Sequence, residues 1–234
     1  MSRETAILAI DTATGGCSAA IAIGDRIVAE RRAAMRRGHS EHLAGMIRDI
    51  MREAGIGPDA LAAIAATRGP GAFTGLRIGL ATARAAALAC ACPAIGLTTF
   101  AVVAEGARRI AGEALPVLAV IDSRRAEPYA RLVGADGSED GPAIAADAGS
   151  ILDILPAGRF ILAGDAIDAL DPLPGSNPAA HRIEMLPDAA DAARLAARLV
   201  SAGGSLPPAE PLYIRPPDAV TEAEAARRRA ARKA

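Results

Sequence analysis

Between Thr67 and Ala91 the chain reads TRGPGAFTGLRIGLATARAAALACA, and no other stretch limits its fold as strongly. Just upstream, Leu61 to Ala66 is a short apolar run of the kind a buried strand uses. Gly69, Pro70 and Gly71 then interrupt regular structure, because proline fixes φ and lacks an N–H while glycine admits φ > 0 and close backbone approach. Beyond them Thr74 is placed to cap a helix, and the Ala-, Leu- and Arg-rich run to Ala91 predicts one. The unit is strand, Gly-Pro-Gly turn, helix. Gly75, Gly79, Ala83 and Ala87 recur every four positions and so share one helix face. A glycine inside a helix costs about 1 kcal/mol relative to alanine, so Gly79 needs tight packing or a ligand to offset it. A helix wedged against its own sheet satisfies that requirement, and so does a second helix docking from outside.

Neither common phosphate-loop pattern fits here. Gly75 is followed by Leu76 and Arg77 rather than Lys and Ser/Thr, and Gly69-Pro70-Gly71 lacks the GxGxxG spacing of a dinucleotide fold. The run GPGAFTGLRIGLATARAAA does resemble the GPGSFTGLRIGLATAKGLA signature of the bacterial TsaB (YeaZ) family, proteins needed to make threonylcarbamoyladenosine in tRNA. Further stretches agree in the same order: ILAIDTATGGCSAAI near the start, HSEHL at His39 to Leu43, IDSRRAEPYA from Ile121 and PLYIR from Pro211. Ala72 stands where the family signature usually has serine. The resemblance implies an α/β, two-lobed actin-like ATPase (RNase H-like) fold with mixed sheets and a reduced second lobe. It also implies a non-catalytic role beside the catalytic subunit TsaD, as a heterodimer, with the ATPase TsaE. That assembly transfers a threonylcarbamoyl group to the adenosine beside the anticodon, with tRNA met through the complex and a homodimer as the alternative when the protein is alone.

Composition narrows the chemistry. Hydrophobic residues make up 51% of the 234, ample for a core, but aromatics are only 2% with no Trp, so base-stacking surface is scarce. A net charge of −1 gives no overall electrostatic reason to hold nucleic acid. Cys17, Cys90 and Cys92 form neither a disulfide framework nor a CxxC metal pair. With no leader-like stretch and no apolar run long enough to span a bilayer, a reducing cytoplasm is the expected home.

Ala6 to Ile10 predicts a strand ending at Asp11, and Ser18 to Ile23 with Arg26 to Arg31 predicts a hairpin turned at Gly24-Asp25. Gly38 to Ala54 carries helical spacing, with Ser40 available as a cap. Ala94 to Leu97 predicts a strand, and Thr98 to Ala111 a threonine-capped helix. Val117 to Ile121, ending at Asp122-Ser123 and followed by Pro128 to Val133, repeats the opening pattern of strand, Asp, turn and partner strand. Helices over Ala146 to Leu155 and Ala189 to Ala202 and strands over Phe160 to Ala163 and Ile183 to Leu186 complete the second unit, around a Pro-rich loop between Leu170 and Ala180. The expected division is 1–112 for the N-terminal lobe with the GPGAFTG motif, 113–203 for the reduced C-terminal lobe, and 204–234 for a linker and basic C-terminal segment.

Two sets of residues stand out as candidate sites. Leu43, Met46, Ile47, Ile50 and Met51 on the first helix, with Leu76, Gly79, Leu80 and Ala83 on the second, form the expected partner-docking face. Asp11, Thr12, Gly69 and Gly71 are candidates for a vestigial nucleotide site, because actin-like ATPases hold phosphate and magnesium where a strand-terminal Asp meets Thr and Gly. His39 and His42 are two potential ligands without a third, so no metal and no cofactor is expected. No nucleophile and base pair emerges, and the non-catalytic reading follows. The rival is an ATP-dependent phosphotransferase of the sugar or acetate kinase type, using Asp11 and Asp122.

Overall fold

In the computed structural model, which describes residues 5–34, 38–171 and 179–215, the chain builds two sheets of the same design. Ala6–Asp11 (β1) pairs antiparallel with Gly16–Ile23 (β2), and β2 antiparallel with Arg26–Ala34 (β3). His39–Ala54 (α1) crosses over to Leu61–Gly69 (β4), which lies parallel to β1. Phe73–Ala89 (α2) then leads to Ala94–Thr98 (β5), parallel to β4, and the sheet order is β3-β2-β1-β4-β5. After Thr99–Ala111 (α3), the second sheet repeats the scheme. Val117–Ile121 (β6) takes the place of β1, Tyr129–Val133 (β7) and Ile144–Ala145 (β8) add antiparallel on one side, and Ile161–Gly164 (β9) with His181–Glu184 (β10) adds parallel on the other. Ala148–Leu152 (α4) and Ala189–Ala202 (α5) complete the described strands and α-helices. Two mixed sheets of one strand order make this a two-lobed actin-like (RNase H-like) fold, and the internal duplication is real.

Alternation along the buried strands decides which layer covers which face. Leu8 and Ile10 of β1, with Ile64 and Ala66 of β4, pack under α1 and α2. Ile7 and Ala9, with Ala63 and Ala65, turn to the opposite face and meet Ala189, Ala192, Ala193 and Ala196 of α5. Small side chains on both partners let α5 lie close to the sheet.

The helices do not respect the division expected at residue 112. Although α3 follows the first sheet, its Phe100, Val103, Ala104 and Ala107 pack on β6, β7 and β9 of the second. Although α5 follows the second sheet, it covers the first. Residues 204–215 are likewise more than a linker. The Gly96 N–H donates to Pro207 O at 3.0 Å, the Leu212 N–H donates to Arg68 O at 2.7 Å, and Ala209 is buried in the first core while Ile214 packs against that of the second lobe. We refer to this stretch as the strap.

Several local expectations are corrected. Thr74 is not a cap: α2 starts at Phe73 with Ala72 in the cap position and no side-chain bond. Nor is Ser40, since α1 starts at His39 after Gly38, whose φ of 85° is a left-handed conformation that glycine adopts without penalty. By contrast Thr98 caps α3, its hydroxyl accepting from the Ala101 N–H at 3.0 Å. The helix expected over 146–155 shrinks to Ala148–Leu152, opened by Asp147 accepting from the Ser150 N–H. The strand expected at Ile183 to Leu186 lies two residues earlier, where β9 pairing sets its register from His181 opposite Ile161. The loop between Leu170 and Ala180 over 172–178 and the basic run from Thr221 lie outside the described residues.

Candidate functional site

Asp11 ends β1 and is only 2% exposed. The Thr67 hydroxyl, at the end of β4, donates to its Oδ1, and the Ala13 N–H donates to the same oxygen at 3.3 Å. Burial outweighs these bonds and the nearby Arg32 charge, and pushes the Asp11 carboxyl up to about 7. The next two residues are locked to the head of α2. The Thr12 hydroxyl donates to Gly75 O at 2.8 Å, and the Ala72 N–H donates to Ala13 O at 2.6 Å. A Cβ at Gly71 would overlap the Ala13 carbonyl, and one at Gly75 the Thr12 carbonyl, so these glycines exist to let two backbones meet. The bond that closes the loop comes from the Ala72 backbone, so the hydroxyl of the family's serine is not needed for it.

The candidate nucleotide residues are therefore only partly gathered. Asp11, Thr12 and Gly71 come together, and the Ala72 amide just ahead of α2 is spent on Ala13. Gly69 belongs to another contact: with φ 115° it faces the Leu212 carbonyl of the strap. In the second lobe Asp122 holds the corresponding position, its N–H donating to Asp165 Oδ1 at 2.7 Å and its carboxylate lying 3.4 Å from Arg124. Both strand-terminal carboxylates are thus engaged by their own lobes. A cavity of about 320 Å³ beside Asp11 is lined by Asp188 and Asp191, which pair with Arg32 and Arg109, and by the exposed Glu184. Among the described residues no three His, Cys, Asp or Glu side chains converge as a metal site.

The expected docking face needs a larger correction. Leu76, Gly79, Leu80 and Ala83 are buried, and a Cβ at Gly79 would strike the Thr12 hydroxyl, so the glycine stripe is the face that α2 lays on its own sheet. Leu43 and Ile50 are buried in the same core. What remains half-exposed is Met46, Ile47 and Met51 on α1, facing Ile78, Ala86 and Cys90 on α2. Between the two helices opens an apolar groove of about 460 Å³, walled by Ile47, Met51, Ile56, Ala86 and Cys90, with Leu8 and Ile64 at its floor and Arg48 and Arg52 among its lining residues. Sequence reasoning misses Ile78, Ala86 and Cys90 because α2 is apolar on more than one face, and Arg77 and Arg84 mark only the flank opposite this stripe. The usable signal was the glycines, whose helix cost demands a close internal contact.

A family model described as TsaD: tRNA N6-adenosine threonylcarbamoyltransferase matches residues 27–155, more than half of the chain. An uncharacterised protein, Mb3455c of Mycobacterium bovis, is 33% identical over 224 residues, covering 91% of this chain and 93% of its own. The tRNA threonylcarbamoyladenosine biosynthesis protein TsaB of Escherichia coli is 42% identical over 123 residues, 53% of this chain. The solved structure of YeaZ from Pseudomonas aeruginosa superposes with a TM-score of 0.79 at 29% identity, covering 89% of this chain and 99% of that one. The chain belongs to the TsaB/YeaZ family. The match to the E. coli TsaB spans 52% of that protein's length, so the sequence match reaches about half the length of the relatives named TsaB, while the fold match to YeaZ reaches nearly the whole. The TsaD model covers α1, β4 and α2, which wall the groove, and leaves out β1 and the Asp11–Ala13 turn.

Proposed function

We propose that this protein is a non-catalytic partner of the threonylcarbamoyltransferase TsaD in forming N6-threonylcarbamoyladenosine beside the anticodon of tRNA. The observation that carries the reading is the apolar groove between α1 and α2, lined by Ile47, Met51, Ala86 and Cys90 in a family whose relatives are named for this modification. Half-buried Leu-, Ile- and Met-type surface at helix spacing is what a partner's helix face fills, and Met adapts to an irregular counterpart. Two helices of this length run roughly 25 Å, long enough for a compact helix-pair interface near the ~800 Å² per partner that stable complexes bury. The TsaD family model aligns with this chain across both helices, so TsaD carries a similar helix pair, and two similar helix pairs can pack face to face. TsaE joins the pair, tRNA reaches it through the assembly, and in the absence of TsaD a second copy of this chain occupies the groove. The engagement of Asp11 by Thr67 and Ala13 supports a partner role over the phosphotransferase alternative.

The test places a charge in the groove. Ala86→Arg puts a guanidinium where the partner's apolar face would bury it unpaired, at a cost of roughly 3–5 kcal/mol. Ala86 is half-exposed, so the circular dichroism spectrum should be unchanged while co-elution with TsaD in light-scattering chromatography is lost. An intact complex would move the docking face elsewhere. ATP turnover by the pure chain that vanishes in Asp11→Ala would replace the proposal with the phosphotransferase.

A further inference from the structure

Across α2 from the groove lies a surface of different chemistry. Phe73 and Tyr213 are 46% and 40% exposed, although the chain has only three Phe and two Tyr, and Phe100 and Phe160 are fully buried. Their ring centroids stand 5.6 Å apart, the Arg77 guanidinium lies 3.8 Å from the centre of the Phe73 ring, and Arg77 Nε donates to the Tyr213 hydroxyl at 3.3 Å. Exposed Arg84 follows on the same flank, seven residues or ~10 Å along the axis. Among the described residues neither Arg77 nor Arg84 pairs with an acid, and from Ala60 to Ala104 the chain has three arginines and no Asp or Glu. At 100° per residue Phe73, Arg77 and Arg84 fall on the flank of α2 opposite Ile78, Thr82, Ala86 and Cys90, so the groove can be filled while this flank stays open.

We infer that this flank is an RNA-contacting surface, on which Arg77 and Arg84 meet phosphates and the Phe73–Tyr213 pair stacks an unpaired base. Charge selects the occupant. A chain of net charge −1 that keeps acids out of a stretch exposing two arginines on one helix flank suits a polyanion, and exposed rings beside a flat guanidinium suit bases rather than a bare phosphate surface. Arg77 is held in place by both aromatic residues, which lowers the ordering cost of binding. The overall charge and the scarcity of aromatic residues concealed this surface, because both averages ignore that the exposed aromatics and the unpaired arginines share one place. The inference rests on the proposed function only in naming tRNA as the RNA.

The experiment measures fluorescence anisotropy of an unmodified tRNA transcript with the full chain, alone and with TsaD, across a range of salt. Neutralising two phosphate contacts in Arg77→Gln with Arg84→Gln should lower the slope of log affinity against log salt by roughly 1.4, the value for single-stranded contacts. Phe73→Ala, and separately Tyr213→Ala, should weaken binding about tenfold and leave the slope unchanged. Transcript affinity that is the same in all variants overturns the inference, as does the absence of transcript binding in both settings. Loss of TsaD co-elution in the arginine pair with unchanged transcript affinity would make the flank a protein interface and also overturn it. Ala86→Arg separates the two readings, since it should abolish TsaD pairing and leave transcript binding by the chain alone intact.

Discussion

The Asp11 carboxyl is held by its surroundings in a state an exposed aspartate never occupies at neutral pH. Its ordinary value of 3.8 is raised to about 7 in the folded protein, chiefly by burial. Between those two values the folded chain keeps a proton that the unfolded chain has released. The contribution to stability is therefore fullest below pH 3.8, declines as pH rises to about 7, and is level above that. Asp11→Asn keeps the shape and the acceptor for the Thr67 hydroxyl but cannot ionise. Urea melts of both proteins should show the Asn variant gaining on the parent as pH rises from 4 to 8, by an amount on the order of a few kcal/mol. A constant difference across that range would mean that water reaches Asp11 in the folded state. Asp165, a half-buried acid of the second lobe, is shifted in the same direction by burial and remains in both proteins, so only the difference between them isolates Asp11.

Elements show what local sequence can and cannot announce. The strands β1 and β6 and the helices α3 and α5 are legible nearly to the residue, since each apolar run is bounded by Asp, Gly or a capping Thr, whereas β4 runs three residues past the expected Ala66 to Gly69. The start of α2 is not legible at Ala72 because the Ala72 N–H that fixes it donates to the carbonyl of Ala13, in a loop far away in sequence, and nothing local encodes that partner. The docking stripe was misassigned for the same reason: Gly75 and Gly79 advertise a close contact without saying that Thr12 makes it. The Pro and Gly content of the strap suggests a linker, yet proline suits an extended segment whose few donors are spent on specific carbonyls. Its Leu212 N–H reaches Arg68 O, and its Pro208 O sits where a Cβ on Gly96 would stand. Ending the chain after Pro207 should therefore remove the Ala209 and Ile214 contacts and cost about 2–4 kcal/mol, read as a fall of several degrees in Tm. An unchanged Tm would show that the strap merely rests on the surface.

At the scale of the whole molecule, the exchange of helices makes two lobes one folding unit. Each sheet needs both faces covered, because β1, β4 and β6 are apolar on both. The first sheet takes α1 and α2 on one face, but its other face is closed chiefly by α5, the last of the described helices. The second sheet has one face closed by α3, which the chain makes before any of its strands. Where the two exchanged helices cross, Gly106 of α3 leaves no room for a side chain against Asp191 of α5. The buried carboxylate of Asp191 accepts from Arg109 at 2.9 and 3.2 Å and from Arg194 at 3.1 Å. Cutting the chain at the boundary the sequence suggested would separate α5 from its sheet and α3 from its own. A fragment of residues 1–112 would then expose Ile7, Ala9, Ala20, Ala22, Ala63 and Ala65 as one continuous apolar face. It should fail to fold cooperatively and should aggregate, whereas the full chain should unfold in a single transition that far-ultraviolet dichroism and the near-ultraviolet signal of Tyr129 and Tyr213, one residue from each end of the exchange, report at the same urea concentration. Tyr129 lies in the second sheet and Tyr213 in the strap over the first, so two separate midpoints would mean that the lobes are independent domains and that the helix exchange does not couple them.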